Sequence, residues 1–312
     1  MIVGVHHIGL VVEDLAAACA TWERLLGLKA QDYRNNQGKG FQLDARIILP
    51  NGCWLHLVQN WNPESRVNQY LRKHGESLEH LALQTDDIEG DVNHLRQIGV
   101  PLFQDTIFNA ADGFEAFIYP EDAIGFTVEL IQPHVTSWQH DASQVTNPNL
   151  LGLQHIGVAV RDVEFAAGRF ETLFGLKATN LRTDQHQGSQ RDFMIEPGNP
   201  YLWLHLVEPH DAGHRAAQYM AAHGEGLEHL CLEFRDIRDA VKQVRSAGVS
   251  LYENKIYLDR DDGFEAFIYP EHIHGVTIEL IEPYATSRGY RFSDLESLRG
   301  AAPSAKQSLA HV

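Results

Sequence analysis

Six histidines and two glutamates stand as single polar residues within short apolar segments, and they recur. His7 lies in Val5-His6-His7-Ile8-Gly9-Leu10, His56 in Trp54-Leu55-His56-Leu57-Val58, His80 in Leu78-Glu79-His80-Leu81-Ala82-Leu83 and Glu129 in Thr127-Val128-Glu129-Leu130-Ile131. The second half of the chain repeats them as His155, His205, His229 and Glu279. Consecutive members are separated by 49, 24 and 49 residues in the first half and by 50, 24 and 50 in the second. A strand alternates faces, so a polar residue between apolar neighbours points away from the hydrophobic core. A lone histidine of this kind is most often a hydrogen-bonded core residue, but random core histidines have no reason to keep both register and strand through a repeat. Three imidazoles and one carboxylate converging on a point would suit a divalent transition metal (Zn, Mn, Fe, Co or Ni), whereas a calcium site would be built of oxygens. For His56 and His205 the competing reading is a residue that orients a ligand without touching the cation.

The elements that must position these residues are legible from the same repeat. Each of four apolar strands around His7, His80, His155 and His229 runs into an Asp (Asp14, Asp87, Asp162, Asp236) placed to cap a helix, and each helix stops at Gly27, Gly99, Gly175 or Gly248. Paired strands follow at 41–49 and 53–59 in the first half and at 192–196 and 202–208 in the second, and residues 113–121 match 263–271 one for one. The fold class expected is α+β: four βαβββ modules, paired into two cups because a three-stranded sheet alone is marginal. The expected domains are residues 1–134 and 151–284, with a polar linker at 135–150 and a loosely docked tail at 285–312. Spacing leaves open whether modules pair within a half or between the two copies of a homodimer.

Composition narrows the function. The 312 residues are 44% hydrophobic and 21% charged, ordinary for folded domains with sizeable cores. A formal net charge of −17 argues against nucleic acid or an anionic membrane as partner. Without an apolar run long enough to span a bilayer or a secretory signal pattern at the N-terminus, a cytoplasmic location is expected. Three cysteines, Cys19, Cys53 and Cys231, form no Cys-x-x-Cys pair, and Cys19 and Cys231 read as core residues.

On His-His-Ile-Gly-Leu followed by Glu-Asp-Leu, Glu-His-Leu-Ala-Leu followed by Asp-Asp-Ile, and Val-Glu-Leu-Ile-Gln-Pro, the chain resembles the vicinal oxygen chelate superfamily of epimerases, glyoxalases, fosfomycin-resistance enzymes and extradiol dioxygenases. Its motifs are most similar to the methylmalonyl-CoA epimerase branch. The resemblance covers nearly all of residues 1–283. It implies paired modules forming a cup, the first-strand His and last-strand Glu as ligands, and a small-molecule substrate that chelates the metal through adjacent oxygens. Two departures stand out: two complete cups in one chain, and His56 and His205 where epimerases and glyoxalases typically place a carboxylate or amide.

Four protein ligands on an octahedral ion leave two positions, enough for a chelating substrate but not for dioxygen as well. The expected reaction is therefore isomerisation or epimerisation through an enolate or enediolate. An Fe(II) extradiol or 2-oxo-acid dioxygenase, a glyoxalase-type lyase and a drug-sequestering protein are the alternatives. Deprotonation needs a base. The candidates are Glu115 and Glu265, five residues before Pro120 and Pro270, and Asp192 at the same offset before Pro197; that count puts Ala45 at the fourth such position, with Asp44 adjacent. The epimerase pattern carries a catalytic Glu on the counterpart strand of the first module. The competing reading of Glu115 and Glu265 is an exposed strand face. Tyr119 and Tyr269 are weaker proton-donor candidates.

Overall fold

The helix of each module begins where an aspartate satisfies backbone N–H groups that the first turn leaves without partners, while Ser65 and His214 cap the two shorter helices between modules. Asp14 accepts from the Ala17 amide at 3.0 Å, Asp87 from Gly90 at 2.9 Å, Asp162 from Phe165 at 2.9 Å and Asp236 from Arg238 at 2.8 Å. Gly27 and Gly175 end their helices in the left-handed conformation, at φ 67° and 70°. The computed structural model describes residues 1–36, 42–50, 52–134, 145, 147–184, 190–199, 202–258 and 263–283. The tail expected at 285–312 and most of the linker expected at 135–150 lie outside the described residues.

In chain order the first half runs β1 (Ile2–Val11), α1 (Leu15–Leu26), β2 (Ala30–Asn36), β3 (Gln42–Ile48), β4 (Trp54–Asn60), α2 (Arg66–His74), β5 (Ser77–Thr85), α3 (Ile88–Gln97), β6 (Phe108–Asn109), β7 (Gly113–Ile118) and β8 (Thr127–Pro133). The second half repeats it as β9 (Leu150–Ala159), α4 (Val163–Phe174), β10 (Ala178–Asp184), β11 (Gln190–Ile195), β12 (Trp203–Pro209), α5 (Arg215–His223), β13 (Gly226–Phe234), α6 (Ile237–Ser246), β14 (Tyr257–Leu258), β15 (Gly263–Ile268) and β16 (Thr277–Pro283). The strands form two eight-stranded sheets, ordered β2-β3-β4-β1-β5-β8-β7-β6 and β10-β11-β12-β9-β13-β16-β15-β14. The chain is thus α+β with four βαβββ modules, and modules pair within a half: two of them abut through antiparallel β1–β5 or β9–β13.

One face of each sheet is apolar and lies under the helices. Ile8 and Leu10 of β1, Leu55 and Leu57 of β4, and Leu81 and Leu83 of β5 share a core with Leu15, Ala18, Trp22 and Leu25 of α1 and Val92 and Leu95 of α3. That core is continuous with the second half. The helices meet across the pseudo-repeat, with Arg24 donating to the Ala247 carbonyl at 2.7 Å and the His94 ring to the Thr172 carbonyl at 2.8 Å. The opposite faces carry the single polar residues and form the cups. Across the first, Arg34 of β2 and Arg46 of β3 pair with Asp112 just before β7, joining the two wings of the sheet. Among the described residues no helix is long and apolar enough to cross a membrane.

Candidate metal centres

Strand alternation puts His7 of β1, His80 of β5 and Glu129 of β8 on one face, and strand pairing brings them together. His7 Nε2 lies 3.1 Å from His80 Nε2, and Glu129 Oε2 lies 3.6 and 3.5 Å from those two nitrogens. In the second half His155 and His229 Nε2 are 3.0 Å apart, with Glu279 Oε2 at 3.5 and 3.3 Å. Donors held about 2.1 Å from one cation are about 3.0 Å apart at right angles and about 3.4 Å apart in a tetrahedron. The observed triangles have those edges.

The cup floor has room for two imidazoles only because β1 and β9 carry glycine two residues after the histidine. A Cβ on Gly9 would lie 1.9 Å from the His80 ring, and one on Gly157 would lie 2.0 Å from the His229 ring. Gly9→Ala is therefore expected to lower stability by about 1–3 kcal/mol through overpacking. In urea the midpoint should fall with an unchanged m-value; an unchanged midpoint would show that the ring moves aside at no cost.

Adjacent residues on a strand normally face opposite ways, yet each histidine of the two triads is oriented by its immediate predecessor. Register jumps at four bulges explain this: pairing skips His6, Glu79, Gln154 and Glu228. His7 Nδ1 meets His6 Nδ1 at 2.8 Å, His155 Nδ1–H donates to Gln154 at 3.1 Å, and His80 and His229 donate to Glu79 and Glu228 at 2.7 and 2.6 Å. The last two are carboxylate–histidine pairs, the arrangement that fixes which ring nitrogen faces a metal. Arg66 and Arg215 pair with Glu79 and Glu228 from the other side and lie over the rings of Phe117 and Phe267. Burial alone would push both carboxyls up; Arg66 and His80 hold Glu79 well below the usual range, and Arg215 and His229 hold Glu228 down to about 2. Glu79 and Glu228 were not among the residues singled out from the sequence, because a bulge leaves no mark in strand alternation. The Glu-His dipeptide, repeated in both halves, was the available signal.

His56 and His205 line the same cups. A ring nitrogen of each lies within 4.8 Å of those of the two other histidines of its cup. His205 Nε2 is engaged by Asp192 Oδ2 at 2.9 Å, whereas His56 Nε2 is 4.0 Å from Asp44 Oδ1. Glu115 and Glu265 face the cup interior. They pair with Ile131 and Ile281, two residues beyond Glu129 and Glu279, so they share the glutamates' face, and Glu265 is buried. Tyr119 meets Phe103 edge to face, and the Tyr269 ring lies tilted against Tyr252.

Counting back from proline places Ala45 opposite Asp192, and the structure corrects this. Asp44 pairs with Val58 as Asp192 pairs with Val207, and each accepts from the glutamine two residues earlier, at 3.2 and 3.3 Å. Asp192 stands eleven residues before Trp203 where Asp44 stands ten before Trp54, and the proline follows Asp192 by five residues but Asp44 by six. A one-residue slip exchanges the faces of a strand, so Ala45 points into the core. With that correction, Asp44, Glu115, Asp192 and Glu265 occupy one equivalent position in all four modules. The reading of Cys231 as a plain core residue also changes: its sulfur lies within 4.8 Å of donor atoms of His155 and Glu279.

A family model described as the Glyoxalase/Bleomycin resistance protein/Dioxygenase superfamily matches residues 6–119 and again 154–267. The chain belongs to this superfamily. An uncharacterized protein of Bacillus subtilis, YqjC, is 27% identical over 131 residues, 42% of this chain and 91% of its own. The mitochondrial methylmalonyl-CoA epimerase of Homo sapiens is 24% identical over 166 residues, 51% of this chain and 93% of its own. A mutant of 4-hydroxymandelate synthase from Streptomyces coelicolor superposes with a TM-score of 0.71 at 19% identity, covering 96% of this chain and 97% of that one, a likeness of fold.

Proposed function

We propose that the chain is a divalent-metal-dependent isomerase that inverts a carbon next to a carbonyl by two-base proton transfer, with His7, His80 and Glu129 holding the cation in one cup and His155, His229 and Glu279 in the other. The donor set fits such an ion: two imidazole nitrogens and a carboxylate oxygen at mutual distances of 3.0–3.6 Å, on one buried face. A bound divalent cation would act as a Lewis acid for the negative charge that develops on the substrate oxygen.

The observation that carries the reading is the pair of carboxylates flanking each triad from opposite wings of the sheet, Asp44 on β3 against Glu115 on β7, and Asp192 on β11 against Glu265 on β15. Inversion at carbon needs a base on one side of the plane and an acid on the other, and roles that exchange with substrate hand. Two equivalent carboxylates related by the cup's own repeat supply this. The human relative's name, an epimerase, supports the same direction. His205, held by Asp192, is the residue that would steer that carboxylate.

The test is incubation of the metal-loaded chain in deuterium oxide with single stereoisomers of 2-methyl-branched acyl thioesters. Deuterium should enter at C2 with inversion and without oxygen uptake. Oxygen consumption without exchange would support a second reading, an oxygenase, which one observation favours: each triad is itself a two-histidine, one-carboxylate set on one face.

The metal reading also predicts proton release. In the first cup burial pushes His7 and His80 down and Glu129 up, the latter helped by Glu115. In the second, burial is outweighed by Glu228, which raises His229, while His155 and then His229 hold Glu279 below the usual carboxylate range. A cation competes with protons for these donors in either cup, so affinity rises with pH and protons are released on binding. Calorimetry in buffers of different ionisation enthalpy would measure it, and binding independent of pH between 5 and 8 would contradict it.

A further inference from the structure

The two cups are not chemically equal. Where β5 of the first carries Ala82, β13 of the second carries Cys231, and the two occupy the same register position: Ala82 pairs with His7 and Glu129, Cys231 with His155 and Glu279. His229 and Cys231 are two residues apart on one strand and so share the cup face. The Cys231 sulfur, a His155 ring nitrogen and a Glu279 carboxylate oxygen lie within 4.8 Å of one another, and all three residues are buried. The thiol also contacts Gln154 Oε1, the oxygen that receives the His155 N–H, at 3.7 Å. It therefore lies beside the second triad and contacts the group that orients His155.

We infer that Cys231 is a further ligand of the second centre, making it a mixed nitrogen–oxygen–sulfur site for thiophilic divalent cations, while the first remains a nitrogen–oxygen site. This rests on the metal reading of the triads. On binding, the sulfur donates an electron pair to the cation and its proton leaves to solvent; no redox change is involved. Thiolate ligands favour zinc-like and softer ions, and nitrogen–oxygen sets also accept harder ones, so one chain would hold two different cations side by side. The sulfur would also take a coordination position that substrate could otherwise use in the second cup, so the two cups would differ in how many substrate oxygens they bind.

Cobalt(II) tests this without recourse to activity, since a cobalt-bound thiolate gives an intense near-ultraviolet charge-transfer band and imidazole or carboxylate ligands do not. The wild-type chain loaded with cobalt should show the band. Cys231→Ala, which installs the residue the first cup already tolerates, should lose it while keeping its full cobalt count, and Ala82→Cys should strengthen it. A wild-type chain that binds two cobalt ions without the band, or a band that survives Cys231→Ala, overturns the inference and leaves the triads standing. A chain that binds no cobalt at all overturns both, and tryptophan fluorescence and circular dichroism of the variants would show that the fold is intact.

Discussion

His80→Ala and His229→Ala will each reduce the chain from two bound divalent cations to one, and the double variant will bind none and be inactive. Each histidine supplies one corner of a triangle whose edges are near 3 Å, and each is fixed by a buried carboxylate that pairs in turn with an arginine. Loss of an orienting partner alone typically costs about 10–100-fold in metal affinity. Removing the ligand itself should cost more, enough to empty that cup at micromolar cation. Elemental analysis of dialysed protein reads the count directly. Each cup keeps its own triad, so the effects should be independent, and a single substitution that empties both cups would show that the halves share one centre. The alanine leaves Glu79 or Glu228 paired with its arginine, so the variants should remain folded.

Asp192→Asn and Glu265→Gln, each made in a His80→Ala background that silences the first cup, will separate the two faces of the reaction. Loss of a positioned general base or acid costs roughly 10²–10⁴-fold, so inversion should fall by that factor in either variant. Exchange of the C2 proton with solvent should survive for one substrate stereoisomer in Asp192→Asn and for the opposite one in Glu265→Gln. Chiral analysis of recovered substrate after partial turnover in deuterium oxide distinguishes them. Equal loss of exchange for both stereoisomers in one variant and none in the other would point to a single base and exclude the two-base route. Asparagine keeps an oxygen to accept from His205, so the change tests the charge and proton capacity of Asp192 more than the ring's placement.

Both predictions depend on a pattern that was only half visible in the chain. His7, His80, Glu129 and their repeats could be read because strands alternate faces and the separations recur; those rules depend on local geometry alone. The capping aspartates and closing glycines were legible for the same reason. Glu79 and Glu228 were not, because a bulge turns a residue onto the ligand face without altering composition or periodicity. Asp44 was missed by one residue: proline looks like a landmark, but the face of a strand is set by its hydrogen-bonded register with β4 and not by distance along the chain. Cys231, apolar in its neighbours, read as core until β9 and β16 were found on either side of it.

The sequence by itself determined the four-fold module and its α+β composition and singled out eight ligand candidates, since each follows from short-range spacing repeated along the chain. Only the tertiary structure decided that modules pair within a half, that carboxylates stand at one equivalent position in all four, and that one cup carries a thiol beside its triad. These depend on which strands lie side by side and in what register, and contacts between residues far apart in the chain are set by packing of the whole sheet.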